Sequence, residues 1–162
     1  MNKTIFFIMG VSGTGKTTIG KLLAKERNIP FFDGDDYHPK ENIVKMASGN
    51  PLNDADRYGW LAALNELAIK NKKTGAAIAC SALKEKYRAQ LRTKIEEETV
   101  FVHLKGSYIE VKSRLDSREA HFMTSALLKS QFDTLEPPTE GVIVSIMQTP
   151  EQILQEILNQ LK

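Results

Sequence analysis

Five apolar runs mark the chain, at 5–9, 30–32, 76–80, 99–104 and 142–146, and the stretches between them repeat their hydrophobic residues at helical spacing. Short runs without polar alternation are what strands buried on both faces require, so they predict parallel rather than half-solvated strands. The intervening segments predict helices. Ile19, Leu22 and Leu23 share one face of a segment over 17–27, and Ile43 and Val44 give an apolar side to 40–47. A long helix over 54–72, capped by Asp54, turns Trp60, Leu61, Leu64, Leu67 and Ala68 inward. Ser107 with Glu110 and Thr149 with Gln152 have the spacing of capping boxes, the second with Pro150 at the first helical position. Ile153, Leu154, Ile157, Leu158 and Leu161 then form the buried face of the last helix.

The first apolar run ends in GVSGTGKTT, where Gly10, Gly15, Lys16 and Thr17 satisfy the phosphate-loop pattern between a predicted strand and a predicted helix. That context is the one the chemistry needs. Glycines let successive backbone N–H groups face a phosphate at a helix N-terminus, whose partial positive charge favours anions. The loop predicts ATP or GTP binding by Gly10, Ser12, Gly13, Thr14, Gly15, Lys16, Thr17 and Thr18. Lys16 has the reach for the β- and γ-phosphates, and Thr17 has a hydroxyl for Mg²⁺. With the alternating pattern, this predicts a P-loop NTPase fold, α/β in three α/β/α layers, with a five-stranded parallel sheet in the order 2-3-1-4-5.

At 162 residues there is room for one domain, so an acceptor site has to be built into the nucleotide-binding unit itself. A net charge of +2 gives no electrostatic footprint for nucleic acid or an anionic membrane. Lys70, Lys72 and Lys73 cluster at a predicted helix end, where cations suit the dipole. The single Cys80 cannot form an intrachain disulfide and no secretory signal precedes the first strand, so a reducing cytoplasm is the expected location.

The second strand runs into Asp33, Gly34, Asp35 and Asp36, at the sheet end where open parallel sheets bind ligands. Asp33 and Asp35 are candidates for metal placement or for accepting a proton from a substrate hydroxyl; Asp36 reads as a turn residue. The third strand carries no terminal Asp, which shifts the metal role toward Asp33. His38, two residues past the turn, is either structural or a substrate contact. Arg57 places a cation in the first turn of a helix and hints at an anionic partner. Lys84 and Arg88 stand one turn apart, either as a carboxylate clamp or as an ordinary basic helix face. Arg114 and Arg118 repeat that spacing before a polar interruption, which predicts a mobile lid over about 118–131 or, alternatively, a surface salt-bridge helix.

The segments GVSGTGKTT, DGDDYHPKENIVKMASGNPLNDADRYGWL, CSALKEKYRAQLR, SRLDSREAHF and QFDTLEPP, in that order, resemble the small P-loop gluconokinases of bacteria over nearly the whole chain. The resemblance implies ATP- and Mg²⁺-dependent phosphorylation of D-gluconate, a single domain with a substrate-binding helical portion over about 36–72, and a homodimer as a candidate assembly. It also implies that Asp35 contacts sugar hydroxyls and acts as base, with Asp33 placing the metal. His38, Arg57, Lys84, Arg88 and Gln131 would line the gluconate site; Arg114 would stack on adenine, Arg118 would approach the phosphates, and Pro150 would lie at the nucleotide. Ala120 and Ser145 depart from the family pattern. The rivals are another kinase of this fold, such as a shikimate kinase, and a non-catalytic nucleotide switch, which needs no convergence of Asp35, His38, Lys84 and Arg88 on one pocket. His38, His103 and His121 lack zinc-ligand spacing.

Overall fold

The computed structural model describes residues 2–117 and 125–162. Five strands form one all-parallel sheet, β1 (Ile5–Met9), β2 (Phe31–Asp33), β3 (Ala76–Ala79), β4 (Thr99–Lys105) and β5 (Val142–Ser145), in the spatial order β2-β3-β1-β4-β5. The predicted order is the observed one. β1 lies at the centre with all five residues buried, which is why its sequence shows no alternation. Ile5 is in register with Ala76 on one side and Thr99 on the other. The edge strand β5 does alternate, burying Val142 and Val144 and exposing Ile143 and Ser145.

The helices are α1 (Lys16–Arg27), α2 (Lys40–Ala47), α3 (Asp54–Lys70), α4 (Glu85–Leu91), α5 (Tyr108–Asp116), α6 (Ser125–Thr134) and α7 (Pro150–Gln160). α1 packs on the sheet and on α7, α3 on α4, and α5 on α6. Both predicted capping boxes form, at Ser107–Glu110 and Thr149–Gln152. A third one was not predicted. Asn53, not Asp54, caps α3, because its side chain accepts from Asp56 N while the Asp56 carboxylate accepts from Asn53 N. That leaves the Asp54 carboxylate facing away from the helix, toward Lys84, Lys86 and Tyr87.

One close approach sets where the acidic turn lies. Gly34 opens a single 3-10 turn (Gly34–Tyr37) immediately after β2, and an added Cβ there would stand 2.3 Å from the carbonyl oxygen of Ala79 on β3. Its own carbonyl accepts a 2.7 Å hydrogen bond from Trp60 Nε1 on α3. Glycine is therefore required by contact with backbone, which cannot yield as a flexible side chain would. Gly34→Ala is expected to destabilise the protein by about 1–3 kcal/mol, the usual range for forced overpacking, read as a lower urea midpoint with an unchanged m-value.

Candidate active site

The phosphate loop follows β1 as the sequence requires. Gly15 takes the left-handed conformation (φ 92°) and leads into α1, a helix with no side-chain cap and no acidic residue in its first turn. A helix start left without a carboxylate of its own, behind a loop of glycines, is the electrostatic arrangement for an anionic ligand. Lys16 Nζ lies over the loop, donating to the carbonyls of Gly10 and Val11 at 3.0 Å each. Thr17 and Thr18 are exposed on the first turn of α1.

Asp33 and Asp35 have different surroundings although two residues apart. The Asp33 carboxylate accepts from the backbone N–H of Asp35 at 3.0 Å and from the Thr17 hydroxyl at 3.4 Å. Two hard oxygen ligands beside the phosphate loop fit an ion such as Mg²⁺, which takes one or two protein oxygens and draws the rest from water and phosphate. The described residues hold no cluster of three or more His, Cys, Asp or Glu that would make a self-sufficient metal cage. Asp35 instead faces a cavity of about 480 Å³, with 78% of its side-chain surface open. The protein around it still raises its pKa through desolvation; Lys16 opposes the rise, and Asp33 and Asp36 add to it. Water admitted by the open cavity damps that rise.

The cavity runs from Ser12 and Lys16 past Asp35 and His38 to Arg57, with Ile43 and Met46 of α2 and Leu127 of α6 as its apolar wall. This volume suits a small metabolite beside the phosphate loop. Gln131 of α6 closes one side. Its Oε1 accepts from Ser12 N at 2.7 Å and its Nε2 donates to Ser12 Oγ at 3.2 Å, which ties α6 to the loop across 119 residues of sequence. Arg57 is held at the cavity wall by Tyr87, donating to its hydroxyl at 3.0 Å and lying over its ring. His38 stacks on Trp60 with ring centroids 3.9 Å apart. Burial, helped by Arg57, pushes its pKa down to about 4, so the imidazole is neutral at ordinary pH.

Of the residues singled out from the sequence, the structure thus brings Lys16, Asp35, His38, Arg57 and Gln131 to one cavity. The expected carboxylate clamp does not form there. Arg88 is buried, donating through Nη1 to Ala82 O at 2.7 Å and through Nη2 to Glu136 O at 2.8 Å, with Glu85 on Nε at 3.3 Å. It ties the connection after β3 to the connection before β5, and it holds the carbonyl of Ala82, a non-glycine residue at φ 47°. Lys84 pairs with Asp54 at 3.5 Å and lies over the Tyr87 ring, so it stands behind Arg57 rather than beside the cavity. Helical spacing predicted a shared face, but Lys84 is the extended N-cap of α4 rather than part of the helix, and Arg88 turns inward.

Beside the phosphate loop, Arg114 donates to Ile146 O at 2.5 Å and lies 3.9 Å from where a Gly15 Cβ would stand. Pro150 begins α7 after the turn that follows β5. Arg118, and the stretch 118–124 of the expected lid, lie outside the described residues. Ser81 and Trp60 also line the cavity and were not singled out for the site, the tryptophan because its spacing on α3 reads as core. Cys80 sits under this region, fully buried, with its thiol pushed up to about 12 by desolvation.

A phosphate loop with a cavity opening beside Lys16, lined by Asp35, His38 and Arg57, is the arrangement of a P-loop phosphotransferase. The chain belongs to the gluconokinase family. Residues 12–162 match the family model described as shikimate kinase. The chain is 47% identical over 151 residues to a probable gluconokinase of Xenopus tropicalis (83% of this chain, 80% of the relative), and 41% identical to the thermoresistant gluconokinase of Escherichia coli (98% and 93%). A crystal structure of a gluconokinase from Sinorhizobium meliloti superposes with a TM-score of 0.90 at 40% identity, covering 98% of this chain and 91% of the other.

Two outcomes are expected. Arg88→Ala should cost about 3 kcal/mol of stability, since it leaves buried carbonyls of Ala82 and Glu136 without their donor, and should show first as a lower thermal midpoint. Histidines 38 and 103 are both buried neutral, pushed from near 6.5 to about 4 chiefly by desolvation. The unfolded chain therefore binds more protons than the folded one between pH 6.5 and 4, and stability falls as pH drops through that window. A urea midpoint that does not decline from pH 6.5 to 4 would contradict the burial of both rings.

Proposed function

We propose that the protein transfers the γ-phosphoryl group of ATP to a hydroxyl of D-gluconate, giving 6-phospho-D-gluconate. The observation that carries this reading is the convergence of a phosphate-loop lysine, a carboxylate, a neutral histidine and an arginine on one cavity. Phosphoryl transfer asks little covalent chemistry of the protein; it needs an in-line hydroxyl and neutralisation of charge on the transferred group. Asp35 is set to orient that hydroxyl and take its proton, and Lys16 to meet the phosphates. Thr17 and Asp33 would hold Mg²⁺, which supplies charge neutralisation when bound.

Lys16 and Arg57 are the cations lining the cavity among the described residues, and with Lys16 turned to the phosphate loop the acceptor's carboxylate belongs with Arg57, while Lys84 acts through the Asp54–Tyr87 group. Residues 36–72 form the acceptor-binding portion of the single domain; α2 and α3 supply its walls. Arg114, Arg118 and Pro150 are assigned to the nucleotide, with 118–131 as the lid. α6 is its anchored half through Gln131. No helix among the described residues is long and apolar enough to cross a membrane. A cytoplasmic location is supported by the single buried thiol, and a homodimer by the family resemblance alone.

The test is a panel of sugar acids with ATP, read by ADP release. Gluconate should be preferred over shikimate, and equal turnover of the two would sink the assignment. Asp35→Asn should lower kcat on gluconate by roughly 10²-fold or more, the range for a lost general base, with little change in ATP affinity. Near wild-type kcat in a folded Asp35→Asn sample would move the base to Asp33.

A further inference from the structure

Asn42 on α2 is a buried polar residue, 3% exposed, that faces His38. Its side-chain nitrogen lies 2.8 Å from the carbonyl oxygen of Asp56, which can only accept, so the amide orientation is fixed with Nδ2 as donor. The same Nδ2 lies 3.2 Å from His38 Nδ1. A nitrogen facing a donor must present its lone pair, so a neutral His38 carries its proton on Nε2. The Asp56 carbonyl is itself anchored. Asp56 closes the Asn53 capping box and pairs with Lys45 at 2.7 Å.

The ring has no freedom to reverse this. Trp60 stacks on one face, and Trp60 is held in turn by its bond to Gly34 O. Only 3% of the His38 side chain is exposed, and its Nε2 stands 3.9 Å from Asp35 Oδ1. That separation is too long for a direct hydrogen bond but short enough for one oxygen to reach both atoms.

We propose that Asn42 is a positioning residue of the acceptor site: it holds His38 in the Nε2–H form, so that the imidazole donor and the Asp35 acceptor together select a substrate hydroxyl. A hydroxyl alone can accept from Nε2–H and donate to the carboxylate at once. A carbonyl or carboxylate oxygen at that point has no proton for Asp35, and an ammonium has no lone pair for His38. The charged groups facing the imidazole are Asp35 from the 3-10 turn and Arg57 from α3. Asn42 and Trp60, the contacts from α2 and α3, are uncharged. With burial and Arg57 opposing the imidazolium, the ring stays neutral through the working range of pH.

The inference rests on the reading of the cavity as the acceptor site, and its first test is independent of that reading. Imidazole nitrogen-15 shifts of the protein without substrate should show His38 neutral at pH 7, with Nε2 protonated and Nδ1 bare. A protonated Nδ1 would overturn the proposal whatever the substrate. Asn42→Asp reverses the partner's role, because a carboxylate facing Nδ1 accepts its proton and favours imidazolium. In a folded Asn42→Asp sample, KM for gluconate should rise roughly tenfold, as for one lost hydrogen bond, with KM for ATP unchanged. Its kcat/KM for gluconate should also gain a pH dependence between about 5 and 8. A wild-type pH profile in Asn42→Asp would overturn the proposal. Where the variant does not fold, the nitrogen shifts of the wild type decide it. If the shifts are as expected but gluconate is not phosphorylated, the assignment of the substrate fails and the tautomer stands.

Discussion

The architecture of the site hangs on the contact between two stretches of backbone, at Gly34 and Ala79, with no side chain between them. Because the chain leaves β2 pressed against β3, the acidic turn cannot drift, and Asp33 and Asp35 inherit fixed directions from it. The carbonyl of Gly34 is then satisfied by Trp60, which brings α3 down over the turn and supplies the plane on which His38 stacks. A buried carbonyl has to find a donor, and here the donor belongs to the helix that also carries Arg57. Sheet, turn and cavity are in this way one mechanical unit.

Charge within that unit is divided by position. Asp33 is drawn toward the phosphate loop by the Thr17 hydroxyl, while Asp35 stands open in the cavity and experiences Lys16 from one side. Arg57 faces the cavity, whereas Lys84 and Lys86 are taken up by Asp54, whose carboxyl they and Tyr87 hold far below the usual range. Among the described residues, Lys16 and Arg57 are the cations that line the cavity.

The sheet was legible in the sequence because each strand is a short apolar run and a parallel sheet buries both faces; even the order followed from a phosphate loop on a central strand. The loop was legible for a related reason, since its function is performed by backbone and glycine positions that a pattern can express. Side chains that act through three-dimensional partners were not. Arg88 looked like half of a clamp, and it is a buried tie between two connections, because its guanidinium meets Ala82 and Glu136, 6 and 48 residues away. Asn53 was passed over for Asp54 as the helix cap, although Asp56 three residues on carries the matching half of a capping box. Asn42 gave no signal, since its role exists only where α2, α3 and the 3-10 turn meet.

Cys80 follows β3 directly, beneath the cavity, with no exposure to speak of and a thiol that resists ionisation. The thiolate is the reactive form toward oxidants and alkylating agents, and here both its formation and its access are suppressed. The sole sulfhydryl of the chain is consequently chemically silent while the sheet is closed. Any labelling of it in the intact protein measures how often the strands beneath the reaction centre part, so this residue is a built-in clock for opening of the core.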